Sequence, residues 1–424
     1  MSANRFLIEG LGGKKTLKGS IPVFGEKNTA LPLMAAASLI QGESKFTNVP
    51  HIADVASMGR LLEGLGAFVT HTGTELTISA KDLTGTVLNQ DLAKSMRASV
   101  LLTGPILARR GAVTFPHPGG CVLGSRPIDI FVTGFQKLGA TISEENEEFY
   151  TLSAPNGLSG GEIFFRAVSV TATETFLIAA TLAKAPVTLR NAAMEPGIVA
   201  TAEFLQSCGA HIEGAGTPTI VIHPSTLTAS SAAFPVVPDR IEAGSFLILG
   251  ALAGEKITVT GVNPKHMDAL LESFATMGVP ISIAGDSITV SAPEKLLPIE
   301  IRTHEYPGFP TDLQAPMAVL LTQAEGESVI FETIFDGRLN YTAELVRMGA
   351  DIKVWNPHRA EIKGSKSLKA RDIDGPDIRA GLAFILAAAI ADGTSHVGNA
   401  HLVDRGYESI EKRLQAVGLS ISRN

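Results

Sequence analysis

The fold can be read from one stretch, Ile198-Val199-Ala200-Thr201-Ala202-Glu203-Phe204-Leu205-Gln206-Ser207-Cys208-Gly209-Ala210, with His211-Ile212-Glu213 and Thr219-Ile220-Val221-Ile222-His223 after it. Ile198, Ala202, Leu205 and Cys208 recur at helical spacing, which predicts an amphipathic helix with Cys208 on its core side. Gly209 closes that helix as a C-terminal cap. The two short β-branched runs that follow read as the strands of a hairpin. Upstream, Thr173 to Ala183 is apolar on nearly every side and predicts a helix buried on most faces. Val187 to Arg190 predicts a strand between the two helices. The unit is helix, strand, helix, strand, strand.

Five further copies surround this one. The glycine stop recurs in Leu65-Gly66-Ala67, Leu138-Gly139-Ala140, Met277-Gly278-Val279, Met348-Gly349-Ala350 and Val417-Gly418-Leu419. With Gly209 the six glycines are spaced by 73, 70, 69, 71 and 69 residues. Solenoid repeats are commonly ~20–50 residues long, so each copy here must be a supersecondary module of its own. Their buried helices are expected at Thr29 to Ile40, Ser99 to Ala108, Thr173 to Ala183, Gly244 to Ala253, Ala315 to Ala324 and Gly381 to Ala391. Lys45 to Val49 and Lys256 to Thr260 are further examples of the short strand. The sixth copy ends at Asn424 one strand short, and Arg5-Phe6-Leu7-Ile8-Glu9 is a strand without a unit. The N-terminal segment is therefore expected to complete the last module. Three modules per domain give domains of 22–235 and, discontinuously, 1–21 with 236–424, the second crossing lying near Ala232 to Pro238. A cleft between two domains is the ordinary place for a ligand.

Composition narrows the function. The chain has 424 residues, 45% of them hydrophobic and 18% charged, with a net charge of -7. That balance argues against general nucleic-acid binding, which favours a basic face, but local arginines can still bind small anions. Two cysteines, Cys121 and Cys208, predict neither a disulfide framework nor a zinc site. The chain's start lacks the apolar run of a signal peptide. Leu382 to Ala391 is too short to span a bilayer, so a cytoplasmic, membrane-free location is expected.

Cations stand where helices do not favour them. Lys27, Arg97, Arg240 and Arg379 lie at or just before the starts of buried helices, where acidic residues are preferred by ~0.3–1 kcal/mol. One reading is a bound anion. The other is pairing with a nearby carboxylate: Glu26 for Lys27, Asp239 or Glu242 for Arg240, Asp377 for Arg379. Arg126, Arg338 and Arg405 form a second set, 13, 11 and 13 residues ahead of their glycines. Asp312, in Tyr306-Pro307-Gly308-Phe309-Pro310-Thr311-Asp312, is either a helix cap or a general base. Pro116-His117-Pro118-Gly119-Gly120-Cys121-Val122-Leu123-Gly124-Ser125-Arg126-Pro127 is either a surface turn with a stray cysteine or a loop that presents a thiol and an anion clamp.

These motifs together, Lys27-Asn28 with Ala30-Leu31-Pro32, Met96-Arg97-Ala98-Ser99, Pro118-Gly119-Gly120-Cys121 through Arg126-Pro127, Pro238-Asp239-Arg240-Ile241-Glu242, Tyr306 through Asp312, and Asp404-Arg405-Gly406-Tyr407-Glu408, resemble the enolpyruvyl transferases of peptidoglycan precursor synthesis, over almost the whole chain. The resemblance implies an α/β fold, a two-domain inside-out α/β barrel with the site in the cleft. It implies transfer of the enolpyruvyl group of phosphoenolpyruvate to the 3'-hydroxyl of UDP-N-acetylglucosamine with release of phosphate, and a role in cell wall, cell shape and division. No metal or organic cofactor is expected. Carried over residue by residue, Cys121 donates a proton to the methylene carbon of phosphoenolpyruvate and is the target of fosfomycin. Asp312 takes the hydroxyl proton, and Lys27 and Arg405 hold the donor with Asn28 beside it. Arg126, Pro127, Ile128, Asp129, Ile130, Arg97, Ser169, Val170 and Ile334 meet phosphate or nucleotide, and Arg338 and Arg379 are counted with the substrate-binding cations. Glu26, Phe131, Ala167 and Gly197 depart from the family pattern, where a small residue, a histidine, a basic residue and a glutamate are usual. The rival readings are a transferase with another acceptor, such as shikimate 3-phosphate, and a non-catalytic sugar-nucleotide-binding paralogue.

Overall fold

The computed structural model describes residues 4–117, 129–146 and 148–424. All six repeat glycines have positive φ: 99° at Gly66, 88° at Gly139, 101° at Gly209, 77° at Gly278, 103° at Gly349 and 99° at Gly418. Side chains other than glycine are rarely tolerated there, so each glycine turns its amphipathic helix into the following strand. Pro196–Ser207 is such a helix, with Cys208 as its cap and Gly209 next. Cys208 is buried in the core, as its place in the helical pattern predicts.

Five of the six sheets share one four-strand plan, and that of the second module has three strands with an isolated parallel bridge from Val87 to Thr114 among the described residues. In the third module the order is His211–Glu213, Thr219–His223, Val187–Arg190, Gly161–Phe164, the last pair parallel and the others antiparallel. The hairpin thus folds back onto the module's first strand, and a linker strand pairs with that strand's other edge. The last module shows how the chain closes. Phe6–Glu9 lies between Thr394–Gly398 and Ser420–Arg423, antiparallel to both. It fills the position that the second hairpin strand takes elsewhere, so the N-terminal segment does complete the sixth module.

Two linker strands are exchanged. Leu17–Pro22 precedes the first module but pairs in parallel with Gly254–Thr260 of the fourth. Phe234–Pro235 precedes the fourth but pairs in parallel with Glu43–Thr47 of the first. The described residues accordingly divide into two compact units, 4–24 with 238–424, and 25–117 with 129–237.

Each unit buries helices in its middle. In the first, Arg240–Ala253, Gln314–Leu321 and Ile378–Ile390 pack against one another. In the second, Val170–Ala180 packs on both Lys27–Ala37 and Thr103–Arg110. These helices are apolar along most of their length because most of their faces are covered; from Arg379 to Ile390 every residue is buried. Strands around them alternate, as in Thr219–His223, where Ile220 and Ile222 are buried and their neighbours are not. Helices inside and sheets outside invert the usual α/β barrel. None of the described helices is long and apolar enough to cross a membrane.

The buried helices start earlier than their apolar runs predict. Lys27 and Arg240 are first-turn residues rather than residues before the helix, and so is Arg379, because the caps Glu26, Asp239 and Asp377 lie one or two positions upstream. The second and fifth helices begin as 3-10 turns, Arg97–Leu102 and Thr311–Leu313.

Candidate active site

Asp312 is gripped from two sides. Its Oδ1 accepts from Arg338 Nη2 at 2.8 Å and its Oδ2 from Arg379 Nε at 2.9 Å. Both arginine side chains are more than nine-tenths buried, whereas that of Asp312 is a quarter exposed. The capping alternative falls away: the cap positions are Pro310 and Leu313, and the carboxylate oxygens face guanidiniums. Arg379 was expected to pair with Asp377 if it paired at all. Instead Asp377 accepts from the backbone N–H groups of Arg379 and Ala380, and the guanidinium turns to Asp312.

Burial opposes the Arg379 charge, but Tyr407, Asp312 and Asp239 more than offset it and raise its pKa further. Tyr407 accepts from Arg379 Nη1 at 2.8 Å. Burial pushes the Tyr407 phenol up despite Arg379, so Tyr407 serves as a neutral acceptor and Asp312 supplies the countercharge. Arg405 is half-buried in the turn after Ala400–Val403, two residues before Tyr407. Asp312, Arg338, Arg379 and the Arg405–Tyr407 turn therefore form one neighbourhood.

Two of its members escaped the sequence reading. Glu332 is fully buried. Its Oε2 accepts from Thr311 Oγ1 at 2.9 Å, and its Oε1 accepts from the N–H groups of Ile334 and Phe335 at 2.9 and 3.1 Å. It fastens the loop of Ile334 to the turn that carries Asp312. The signal in sequence was a lone acid ending an apolar strand, Ser328-Val329-Ile330-Phe331-Glu332, where a charge is buried only if it is used. Tyr407 stood inside a quoted motif without a role. Beside this turn Arg240 lies 5.4 Å from the centre of the Tyr306 ring and lines a pocket with His266, Met267, Leu270, Pro310 and Leu313.

In the other unit Lys27 opens its helix, and its Nζ lies 3.5 Å from Asp54 Oδ2. Asp54, in the helix Ala53–Gly64, and Glu26 are both buried, and Glu26 accepts from Thr29 Oγ1. Asn28 is exposed. Ser169 caps Val170–Ala180 by accepting from Ala172 N at 3.3 Å, which places Ser169 and Val170, both half-buried, at a helix start. Arg97 lines a small pocket with Ala93, Ser99, Val100, Phe115, Pro116 and Phe131. Phe131, one of the departures, gives that pocket an apolar wall. Asp129 and Ile130 begin the helix Asp129–Lys137. Cys121, Arg126, Pro127 and Ile128 lie outside the described residues.

Two more departures are neighbours. A side chain on Gly197 would bring its Cβ to 2.9 Å from Thr29 Oγ1 and 3.6 Å from Glu26 Oε2. Glu26 therefore stands next to the space that residue 197 leaves. Glu174 is buried as well, and its carboxyl is pushed well above the usual carboxylate range, by burial first and then by Glu195 and Glu26.

A carboxylate held by two buried arginines, with further cations in the first turns of buried helices, stands on inside-out α/β modules. The pattern of the EPSP synthase (3-phosphoshikimate 1-carboxyvinyltransferase) family matches residues 11–414, and the chain belongs to this family of carboxyvinyl, or enolpyruvyl, transferases. Within it, a Campylobacter jejuni (strain RM1221) protein named UDP-N-acetylglucosamine 1-carboxyvinyltransferase is 42% identical over 412 residues, 97% of this chain and 98% of its own. A Sulfurimonas denitrificans protein of the same name is 41% identical over 410 residues, 96% of this chain and 97% of its own. The fold is shared with the enolpyruvyl transferase NikO from Streptomyces tendae, at TM-score 0.89 and 23% identity over 100% of this chain and 99% of that one. An EPSP synthase from Acinetobacter baumannii superposes at TM-score 0.74 with 19% identity, over 99% of this chain and 100% of that one.

Proposed function

We propose that the chain transfers the enolpyruvyl group of phosphoenolpyruvate to the 3'-hydroxyl of UDP-N-acetylglucosamine, releasing phosphate. The observation that carries the acceptor is identity of about two residues in five, across 97% of the chain, to proteins named for that reaction. The EPSP synthase likeness, at 19% identity, supports the fold and not the shikimate acceptor.

The roles of the site residues are those the family resemblance implies. Cys121 protonates the methylene carbon of phosphoenolpyruvate, and the neighbouring carbon becomes electrophilic. Asp312 accepts the proton of the sugar hydroxyl as its oxygen bonds to that carbon. The two arginines, one on each Asp312 oxygen, fix the plane of the carboxylate. A proton of the new methyl group returns to the Cys121 thiolate, which restores the double bond as the carbon–oxygen bond to phosphate breaks and phosphate leaves. Lys27 and Arg405 hold the donor, with Asn28 beside it. Arg97, Arg126, Pro127, Ile128, Asp129, Ile130, Ser169, Val170 and Ile334 serve the phosphate and the nucleotide. Arg338 and Arg379 act through Asp312 and are positioning residues. We take the two compact units as the two domains, which moves the boundaries inferred from sequence by two or three residues, and we expect a cytoplasmic enzyme.

The test is phosphate release on mixing the protein with phosphoenolpyruvate and either UDP-N-acetylglucosamine or shikimate 3-phosphate. Release with the sugar nucleotide alone supports the proposal. Release with shikimate 3-phosphate alone, or with neither, overturns it.

A further inference from the structure

On the outer face of the third sheet three side chains converge that the transfer reaction does not use. His211 and Glu213 stand two residues apart on an edge strand and flank the buried Ile212, so both point to the same side. His223 is the register partner of His211 on the neighbouring strand and shares that face. Glu213 Oε1 lies 3.1 Å from His223 Nε2 and 3.3 Å from His211 Nε2. The two imidazoles stack with centroids 4.2 Å apart, and the three ligand atoms all lie within 4.8 Å of one another.

We propose that His211, Glu213 and His223 form a binding site for a zinc-type divalent transition metal ion. Zinc binds imidazole nitrogen at about 2.0–2.1 Å and carboxylate oxygen at about 2.0–2.2 Å in a tetrahedron. Ligand atoms at those bond lengths are about 3.3 Å apart, the spacing already present on both sides of Glu213. Two imidazoles with one carboxylate suit zinc, copper or nickel rather than magnesium or calcium, which take oxygen ligands. Water completes the coordination, since the side chains of His211 and Glu213 are more than half exposed.

The backbone beneath is held in place. Ser225 Oγ accepts from His211 N at 3.1 Å and donates to the His223 carbonyl at 2.8 Å, joining the two histidine residues. Ser225 N in turn donates to Thr181 O at 2.9 Å, at the end of the buried helix. Gln206 Nε2 donates to Ile212 O at 2.9 Å and fixes the edge strand between the two ligands that it carries. Bound metal would clamp this hairpin and cap an exposed sheet edge, the kind of edge that natural sheets protect.

The experiment is calorimetric titration of untagged, chelator-washed protein with zinc chloride near pH 7.5, with magnesium chloride as control and melting curves in parallel. One equivalent of zinc is expected to bind and to raise the melting temperature, with no response to magnesium. His223→Ala and Glu213→Gln should each weaken zinc by at least the roughly 10–100-fold that loss of a mere supporting group costs a metal site. Both variants alter exposed or half-exposed side chains, should melt like the parent without zinc, and should keep phosphate release unchanged. Absence of zinc binding overturns the proposal, as does zinc binding that neither substitution weakens.

Discussion

Glu174→Gln should stabilise the protein increasingly as pH rises. Glu174 is 3% exposed, and its Oε1 has no hydrogen-bond partner among the described residues. Burial, then Glu195, then Glu26 raise its pKa. An unfolded glutamate titrates near ~4.3, so above that pH the unfolded state sheds a proton that the folded state keeps. Stability contributed by this group is complete below the unfolded value and drains away as pH climbs to the folded one. The slope is about 1.4 kcal/mol per pH unit across that window, and it stops where folded Glu174 ionises. Glutamine mimics the protonated acid and has no such slope. For a unit of about 200 residues, 1 kcal/mol moves the melting temperature by about 2–4 °C. The gap between variant and parent should therefore widen by roughly 3–6 °C per pH unit. Melting curves of both proteins from pH 5 to pH 8 read it directly, and taking the difference cancels the titrating groups that do not interact with Glu174. If Glu195 or Glu26 holds the proton instead, the three share a macroscopic titration, and the same widening should appear in Glu195→Gln or Glu26→Gln. A gap that stays flat across the range in all three variants would refute the reasoning.

Asp312→Asn should lower turnover by about 10²–10⁴, the usual cost of a lost general base. It should also lower the melting temperature, because two buried arginines lose their shared anion, so rates belong well below the new melting point; unchanged turnover there would remove Asp312 from the chemistry. Fosfomycin, an epoxide with an anionic group, should alkylate Cys121 and spare buried Cys208, whose thiol burial pushes up; peptide mapping that finds the label on Cys208 would reverse that assignment. Gly197→Glu should destabilise the protein alone and less so with Glu26→Ala, with a coupling of about 0.5–3 kcal/mol between the two positions; additive melting shifts would show that Glu26 does not occupy the space beside residue 197.

What could be read from sequence was local and periodic. Six glycines near seventy residues apart announce six modules because each must adopt a backbone that other residues avoid, and all six do. The edge strand His211–Glu213 and its partner Thr219–His223 lie where their alternation places them. Helix starts were less legible. A cap such as Asp377 hides a cationic first turn ahead of the apolar run, so Arg379 seemed to precede its helix. Partners distant in sequence were least legible. Lys27 had Glu26 as its adjacent carboxylate, yet the acid the fold brings to it is Asp54, 27 positions on. Nothing periodic joins Arg379 to Asp312 across 67 residues.

That last pairing changes how the arginines should be read. From sequence, Arg338 and Arg379 look like further clamps for a doubly charged ligand, because an arginine at a helix start or loop invites an anion. In the structure the anion they share is the protein's own. Arg338 Nη2 also donates to the Thr311 carbonyl at 3.2 Å, and Arg379 is tied to Tyr407, so neither guanidinium can swing away without breaking a second bond. A carboxylate held by two buried arginines has one orientation. A base that must meet one hydroxyl of a sugar needs that constraint more than it needs extra basicity, because misplacement of the reacting atoms by an ångström can cost about a hundredfold in rate. Arg405, half-buried two residues before Tyr407, is a further cation of the same neighbourhood.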